Sequence, residues 1–212
     1  MNRLSLVLLI ALLTACAKEV EQSQLVYRRG ICYEINSTTP FTGTGKEYHE
    51  NGQLKSKTTY KDGRLDGTSE SYYENGQLRE HGNYKLGEED GVHVEYGYSG
   101  KLVWKQTHKN GVRHGIHEEY FDDGTLMLKV DFKNGERDGV EEKYYENGKL
   151  KSRESYKQGK LHGTSESYYE NGQLEEIKAY KSNKLEGVHK IYAENGELLF
   201  VFHYQNDELI IE

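Results

Sequence analysis

The chain has few of the residues that build a thick globular core. Only 34% of its 212 residues are hydrophobic, whereas 30% are charged, and it has one proline. Its repeated part has no run with the 3.6-residue apolar period of an amphipathic helix. This composition excludes a thick core at this length and favours an open sheet stabilised by contacts between neighbouring units.

Basic side chains are also outnumbered, and the formal net charge is −7. Nucleic acid is not an expected partner, because phosphate binding requires a basic surface. No catalytic constellation or cofactor motif is evident, so the sequence predicts neither an enzyme nor a cofactor.

Glycines recur instead, at a spacing of 24 residues, which indicates a repeat array. The first series closes turn-like tripeptides, usually Glu-Asn-Gly, and consists of Gly52, Gly76, Gly100, Gly124, Gly148, Gly172 and Gly196. The second series has the same period and consists of Gly43, Gly67, Gly91, Gly115, Gly139, Gly163 and Gly187.

Three further rows keep this period and show what each unit buries. The first is Tyr48, Tyr72, Tyr96, Tyr120, Tyr144, Tyr168 and Tyr192, and the second is Leu54, Leu78, Leu102, Leu126, Leu150, Leu174 and Leu198. The third is Tyr60, Tyr84, His108, Phe132, Tyr156, Tyr180 and Tyr204. Runs of about eight Tyr-, Thr- and Ser-containing residues between glycine turns predict strands, so each unit is expected to be a β-hairpin.

The turn sequences predict how the strands pair. Glu74-Asn75-Gly76 suits a three-residue loop that pairs Tyr73 with Gln77 and sets Tyr72 opposite Leu78. Lys61-Asp62-Gly63 allows two readings: a three-residue loop that pairs Tyr60 with Arg64, or a five-residue loop that pairs Tyr60 with Asp66.

Both readings place even-numbered residues on one face, so all three rows are expected to share that face. Tyr72, Leu78 and Tyr84 should then be more buried than Ser69, Ser71 and Gln77.

The expected fold is all-β: seven antiparallel hairpins in an elongated, twisted single sheet over residues 43–204. Residues 25–42 break the period and are expected to form an N-terminal cap, and residues 205–212 a C-terminal cap.

The N-terminus has the pattern of a bacterial lipoprotein signal. A short positive region is followed by an apolar stretch and by Leu13-Thr14-Ala15-Cys16. We expect cleavage after residue 15, acylation of Cys16, and a polar tether over residues 16–24 that joins the protein to the membrane. Ala17 follows the cysteine where lipoproteins retained in an inner membrane often carry Asp, so the resemblance favours the outer membrane. Cys32 is then the one remaining thiol, either buried in the cap or paired between chains.

The repeat resembles the MORN-variant repeat. The resemblance rests on Tyr-Tyr-Glu-Asn-Gly-Gln-Leu at residues 72–78 and 168–174, and on Tyr-Lys-x-Gly at 60–63, 84–87 and 156–159. The leader over residues 25–43 is similar to the opening of bacterial lipoproteins in that family. Members are often labelled antitoxins of the YwqK type, and MORN proteins more broadly are described as β-hairpin scaffolds for protein contacts, oligomerisation or membrane association. The resemblance implies no shared catalytic residues.

The third unit departs most from the repeat and is where a site is expected. Gly97-Tyr98-Ser99-Gly100 replaces Tyr-Glu-Asn-Gly, and Trp104 is the sole tryptophan. With three-residue loops, Trp104 would face Val94 and Ile116, and Ile116 would face Val130. Packing in such an apolar row is the favoured role for Trp104, and an aromatic recognition patch is the alternative.

Three histidines of this region, His108, His114 and His117, raise the question of a metal. Strand alternation sends His114 and His117 to opposite faces, and neither a cysteine nor a tight set of carboxylates completes a zinc site, so no metal is expected.

The C-terminal segment is unusually apolar and provides the remaining candidate surface. Phe200, Val201, Phe202, Ile210 and Ile211 are candidates for dimerisation or for docking a partner protein, because exposed sheet edges pair with other chains. The alternative is a folded-back terminal strand that hides the edge.

The sequence therefore predicts a non-catalytic, membrane-anchored repeat lipoprotein that binds an unidentified protein. The alternative is an antitoxin or immunity-type protein that neutralises a cognate toxin.

Overall fold

The computed structural model describes residues 18–210 and confirms the all-β hairpin array. Seventeen strands form one sheet, and two further strands form a separate hairpin. In the described part of the chain, the only helical element is a 3-10 turn at Gln22–Gln24. Consecutive strands of the array pair antiparallel, and the first strand adds in parallel to the start of the array. The expected single sheet is thus one repeat sheet with a small hairpin beside it.

The strands are β1 Glu19–Glu21, β2 Leu25–Arg28, β3 Ile31–Glu34, β4 Gly43–Tyr48, β5 Leu54–Lys61, β6 Arg64–Tyr72, β7 Leu78–Lys85, β8 Glu88–Glu89, β9 Gly91–Tyr96, β10 Leu102–Lys109, β11 Val112–Tyr120, β12 Leu126–Lys133, β13 Glu136–Tyr144, β14 Leu150–Lys157, β15 Lys160–Tyr168, β16 Leu174–Lys181, β17 Lys184–Tyr192, β18 Leu198–Gln205 and β19 Glu208–Leu209. Each unit contributes one hairpin, and the strand before β10 is interrupted, so it appears as β8 and β9.

The β2–β3 hairpin covers the first repeat and forms the main apolar core. Cys32 is 0% exposed and packs with Phe41 and Tyr60. The hydroxyls of Tyr60 and Tyr27 lie 2.7 Å apart in a hydrogen bond. Cys32 is a free thiol enclosed by this cluster, which agrees with the buried role considered for it.

The Glu-Asn-Gly turns pair as predicted. The Tyr73 amide donates to the Gln77 carbonyl at 2.9 Å, and Tyr72 lies opposite Leu78. The turn also joins neighbouring units, because the Tyr73 hydroxyl donates to the Tyr96 carbonyl at 2.9 Å. The Asn75 carboxamide oxygen accepts from the Gln77 amide at 3.0 Å. These bonds give a structural reason for the recurring Tyr-Glu-Asn-Gly.

Both predicted readings of the Lys61-Asp62-Gly63 turn are wrong. Lys61 pairs with Arg64 and Tyr60 with Leu65, so the loop has two residues. Asp62 and Gly63 have φ of 50° and 74°, the conformation of a type I′ turn. Asp-Gly is a strong signal for this turn, because both central residues need positive φ.

The two-residue turn and a one-residue bulge in the next connection together overturn the expected single face. Across the turn, even-numbered Tyr60 pairs with odd-numbered Leu65. At the bulge, Ser71 pairs with Glu80 although Tyr72 pairs with Leu78. Even residues of one strand therefore lie opposite odd residues of the next.

The three rows accordingly divide between two faces. The tyrosine–leucine face carries Tyr72, Leu78 and their repeat equivalents, together with Glu70. The histidine face carries Tyr60, Tyr84, His108 and their equivalents.

The second glycine series lies in one class of bulge. Gly67 has φ of 117°, and a Cβ there would be 3.2 Å from Thr59 Cβ. The bulge both requires positive φ and presses this backbone against a neighbouring side chain, which explains why glycine recurs.

The predicted difference in exposure between the two residue sets is also wrong in part. Tyr72, Leu78 and Tyr84 are half-buried, but so are Ser69 and Ser71, and only Gln77 is exposed. Each face of the single sheet carries its own aromatic row, and the side chains on both faces are only partly buried.

The tyrosines of the tyrosine–leucine face predict a loss of stability in alkali. Burial raises the pKa of Tyr72 to about 12, and its 2.8 Å hydrogen bond to Glu70 adds to the effect. Burial and a glutamate two residues earlier likewise raise the pKa of Tyr144 and Tyr168 to about 12. Because the neutral phenol is favoured on folding, this stability is complete below pH 10 and is lost as the pH rises to about 12.

Melting temperatures measured across this range should therefore fall as tyrosinate absorbance rises. A variant with Tyr72, Tyr144 and Tyr168 all changed to Phe should lose less stability over the same range. An equal fall in both proteins would contradict the assignment.

In the part of the chain covered by the structure, no helix is long and apolar enough to cross a membrane. The expected lipid attachment at Cys16 lies outside the described residues.

Candidate functional site

The centre of the histidine face carries polar side chains that are deeply buried. Gln106 pairs with His93 on one side and with His117 on the other. His93 is 3% exposed and Gln106 is 2% exposed. Buried polar groups are normally hydrogen-bonded, so the partners of these side chains decide how the row is held.

His93 of this row comes together with two side chains of the neighbouring strands, Glu89 and His108. Glu89 lies on β8, His93 on β9 and His108 on β10. The Glu89 carboxylate is 3.1 Å from His108 Nε2 and 3.8 Å from His93 Nδ1. One ligand atom from each of the three side chains lies within 4.8 Å of the other two. The imidazole rings of His93 and His108 meet edge to face, with centroids 5.1 Å apart.

Several buried polar atoms around this cluster have no hydrogen-bond partner. They are Gln106 Oε1, His108 Nδ1 and His117 Nδ1, and His189 Nδ1 is a further example elsewhere on the face. The Gln106 amide nitrogen, by contrast, donates to the Thr107 carbonyl at 2.7 Å. The unpaired atoms are therefore concentrated in one region of the sheet.

The environment disfavours a charged His108. Burial lowers its pKa, and the nearby charges of His93, Arg113 and His117 act in the same direction, while Glu89 opposes them. The neutral imidazole has a free lone pair, and it is this neutral form that binds metals.

Trp104 lies at the rim of the same region, and its predicted apolar row does not form. Its cross-strand neighbours are Glu95 and Glu119, and its indole N–H donates to the Glu95 carboxylate. Val94 instead pairs with Lys105, and the bulges described above cause this shift.

The other predicted members of that row are also displaced. Ile116 is exposed and pairs with Asp131, and Val130 pairs with His117 and Glu141. Trp104, Gln106, His108 and His117 instead line a shallow depression of about 400 Å³.

His117 belongs to this depression, whereas His114 precedes Gly115 and falls on the other face by strand alternation. His117 Nε2 lies 2.9 Å from the Glu119 carboxylate. Gly115 pairs with Phe132 of the histidine face, so alternation from Gly115 places His114 on the face opposite His117.

The C-terminal apolar residues lie at the last strands of the array. Phe200 pairs with Ile191, and Phe202 pairs with His189, so both lie on the histidine face with their rings 6.0 Å apart. The Ile210 amide donates to the His203 carbonyl at 2.8 Å. Ile211, the remaining candidate of this group, lies outside the described residues.

The repeats match a known family model, described as the MORN repeat variant. The matches cover residues 41–62, 65–86, 113–134, 137–158, 161–182 and 185–206. The chain belongs to the MORN repeat variant family. None of the curated proteins compared with the chain is significantly similar to it.

The MORN model matches six units, and the sequence period predicts seven. The unmatched unit lies between residues 86 and 113, where Glu89, His93 and His108 come together. The candidate site therefore lies where this MORN-variant chain departs from its family pattern.

Sequence reasoning missed two members of the cluster, Glu89 and His93. His93 is one period before His117 and four periods before His189, so the repeat position was a usable signal. Glu89 occupies the position of Leu65 and Leu161, and this change from leucine to glutamate was a second signal.

Proposed function

We propose that this MORN-variant protein is a non-catalytic scaffold, anchored to a bacterial outer membrane through a lipid on Cys16, that binds another protein by its C-terminal edge. The observation that carries the binding role is the exposed apolar edge at β18.

The outer edge of β18 is only partly paired. Along its inner edge it pairs with β17 from Leu198 to Tyr204. On the outer side, β19 pairs only with Tyr204 and Gln205. Within residues 18–210, no strand covers the outer edge from residue 198 to residue 202. Open backbone groups of this kind accept an added strand from a partner.

The side chains of this segment suit a protein partner. Phe200 is 56% exposed and Leu199 is 49% exposed. Aromatic residues are enriched in the central contacts of protein interfaces, where they bury large areas. A partner strand paired with β18 would cover these side chains and satisfy the backbone together.

The anchor is supported by the Leu-x-Ala-Cys order that ends at Cys16 and by the polar tether that follows it. Tethering would hold the repeat sheet close to the membrane surface, where its partner would be found. A non-catalytic role is supported by the openness of the sheet, because its depressions are shallow and catalytic sites normally lie in enclosed pockets.

The edge model predicts that Phe200→Lys reduces partner capture about 30-fold or more, the ratio for an anchor residue worth ~2 kcal/mol. Capture is measured by affinity purification of the full-length lipoprotein from crosslinked membranes of the host, with quantitative mass spectrometry. Leu86→Lys is the matched control. Leu86 is also apolar and exposed, but it is remote from β18. His117→Gln should also leave capture unchanged.

Equal loss of capture in Phe200→Lys and Leu86→Lys would contradict edge binding. Sedimentation of the purified chain separates self-pairing from binding to another protein, because only self-pairing makes the mass depend on concentration. Capture of a toxic protein, with growth rescue in a host that produces that toxin, would support the alternative role in toxin neutralisation.

A further inference from the structure

We propose that Glu89, His93 and His108 form a binding site for a divalent transition-metal ion of the zinc class. This inference is independent of the scaffold role, because it rests on side chains of the histidine face and not on the edge of β18.

The first argument is the hydrogen bond that fixes the His93 ring. His93 Nε2 lies 2.9 Å from the backbone carbonyl of Asn83. A carbonyl only accepts, so Nε2 must carry the proton, and in the neutral ring Nδ1 then has the lone pair. Metal-ligating histidines commonly donate their second ring N–H to a carbonyl in this way.

The second argument is what that lone pair faces. His93 Nδ1 is 3.8 Å from Glu89 Oε1, and both atoms are acceptors when the ring is neutral. Two acceptors directed at each other are stabilised by a cation between them. Glu89 also contacts His108 through its other oxygen, so one carboxylate connects both rings.

The third argument is spacing. In a tetrahedral zinc site with bonds of about 2.0–2.1 Å, neighbouring ligand atoms are about 3.3 Å apart. The observed separations from Glu89 are 3.1 Å to His108 and 3.8 Å to His93. Small side-chain rotations would therefore close the site around an ion without moving the strands.

The donor types select the class of metal. Two imidazoles and one carboxylate suit Zn²⁺, Co²⁺ or Ni²⁺, whereas Ca²⁺ and Mg²⁺ prefer oxygen ligands. Three protein ligands also leave a fourth position for water. Glu89 and His108 line the depression that Gln106 also lines. A metal-bound water can donate a hydrogen bond, and the Gln106 side-chain oxygen in the same depression is an acceptor.

The surrounding residues both make room for the site and limit it. Gly82 lies under the His93 ring, and a Cβ there would be 2.6 Å from His93 Cε1. The other repeats carry a side chain at the position of Gly82, such as Thr58 and Val130, so this space occurs only beside His93. Arg113 also lines the depression, and its positive charge offsets part of the attraction of the carboxylates for a cation.

The test is zinc titration of the full-length chain, purified in detergent without a histidine tag and stripped with a chelator. Calorimetry should show one saturable Zn²⁺ per chain. Glu89→Gln, His93→Gln and His108→Gln should each weaken binding more than tenfold, and Gly82→Ala about tenfold or more through the position of His93. Co²⁺ should give the visible absorption bands of a four- or five-coordinate ion in the wild-type protein and not in Glu89→Gln.

The matched control is His189→Gln. His189 occupies the same repeat position as His93, is similarly buried, and contacts Glu176 at 2.7 Å. The His189→Gln substitution should leave zinc binding unchanged. Circular dichroism checks that every variant is folded. If a histidine variant unfolds, the zinc affinity of Glu89→Gln is the test that remains, because the Glu89 side chain is 40% exposed.

Absence of saturable binding up to about 1 mM Zn²⁺ would overturn the proposal. Wild-type affinity in the folded Glu89→Gln and His108→Gln variants would also overturn it, as would an equal loss in His189→Gln.

Discussion

Replacing Gly63 with alanine should destabilise the protein by about 2–5 kcal/mol and release the N-terminal hairpin from the first repeat. Gly63 has φ of 74°, and a side chain in this left-handed conformation costs about 1–2 kcal/mol. A Cβ at this position would also overlap Ile31 Cγ2 and lie 2.7 Å from the Cys32 carbonyl oxygen. Forcing extra atoms into such a packed contact costs a further ~1–3 kcal/mol.

The backbone of Gly63 explains why the cap cannot simply move aside. Its N–H donates to the Phe41 carbonyl at 2.7 Å, and its carbonyl accepts from the Cys32 amide at 2.8 Å. Displacing the cap would break both bonds and open the core around Tyr60. Urea unfolding measures the loss, and faster hydrogen exchange in residues 25–42 should show that the cap is the part released.

Gly159→Ala is the matched control for this prediction. Gly159 occupies the same turn position with φ of 73°, but the nearest atoms to an added Cβ are 3.9 Å away, in Glu136. It should therefore cost only the backbone term of about 1–2 kcal/mol. An equal loss of stability in the two variants would show that the cap contributes nothing at Gly63.

The periodicity of the sequence was sufficient to predict the hairpin array, and local turn chemistry was sufficient for one of the two turns. Glu74-Asn75-Gly76 forms its expected pairing because the three-residue loop is defined by neighbours in sequence. The error arose at Asp62-Gly63, where a two-residue turn was overlooked. Because side chains alternate with a period of two, the two-residue turn and the one-residue bulge beside Tyr72 each moved a whole strand to the other face.

The same error concealed the candidate site. Trp104 was placed beside Val94 and Ile116 by a register that the bulges do not allow. His93 was not grouped with His108, because the two are 15 residues apart in sequence and become neighbours only through the β9–β10 pairing. Sequence could identify the unusual unit, whereas the cross-strand contacts within it depended on the register.

The proposed membrane anchor gives the other prediction with a large expected effect. Replacing Cys16 with serine should move the protein from the membrane to the soluble fraction, because lipid attachment requires the Cys16 thiol. The described residues contain no helix that would span a membrane in its place. The variant should carry a cleavable secretory signal in place of residues 1–15, so that no apolar leader remains attached. Fractionation and labelling with a radioactive fatty acid measure the two effects.

Cys32→Ala is the control, since Cys32 is the only other cysteine and lies in the core of the cap. It should lower stability by removing a buried side chain, yet retain both the label and the membrane fraction. One acyl chain binds membranes only weakly and reversibly, so the stable anchoring expected of the wild type requires the several chains of a mature lipoprotein. If Cys16→Ser stays in the membrane after a high-salt wash, the repeat sheet itself holds the protein there, and the lipid is not its anchor.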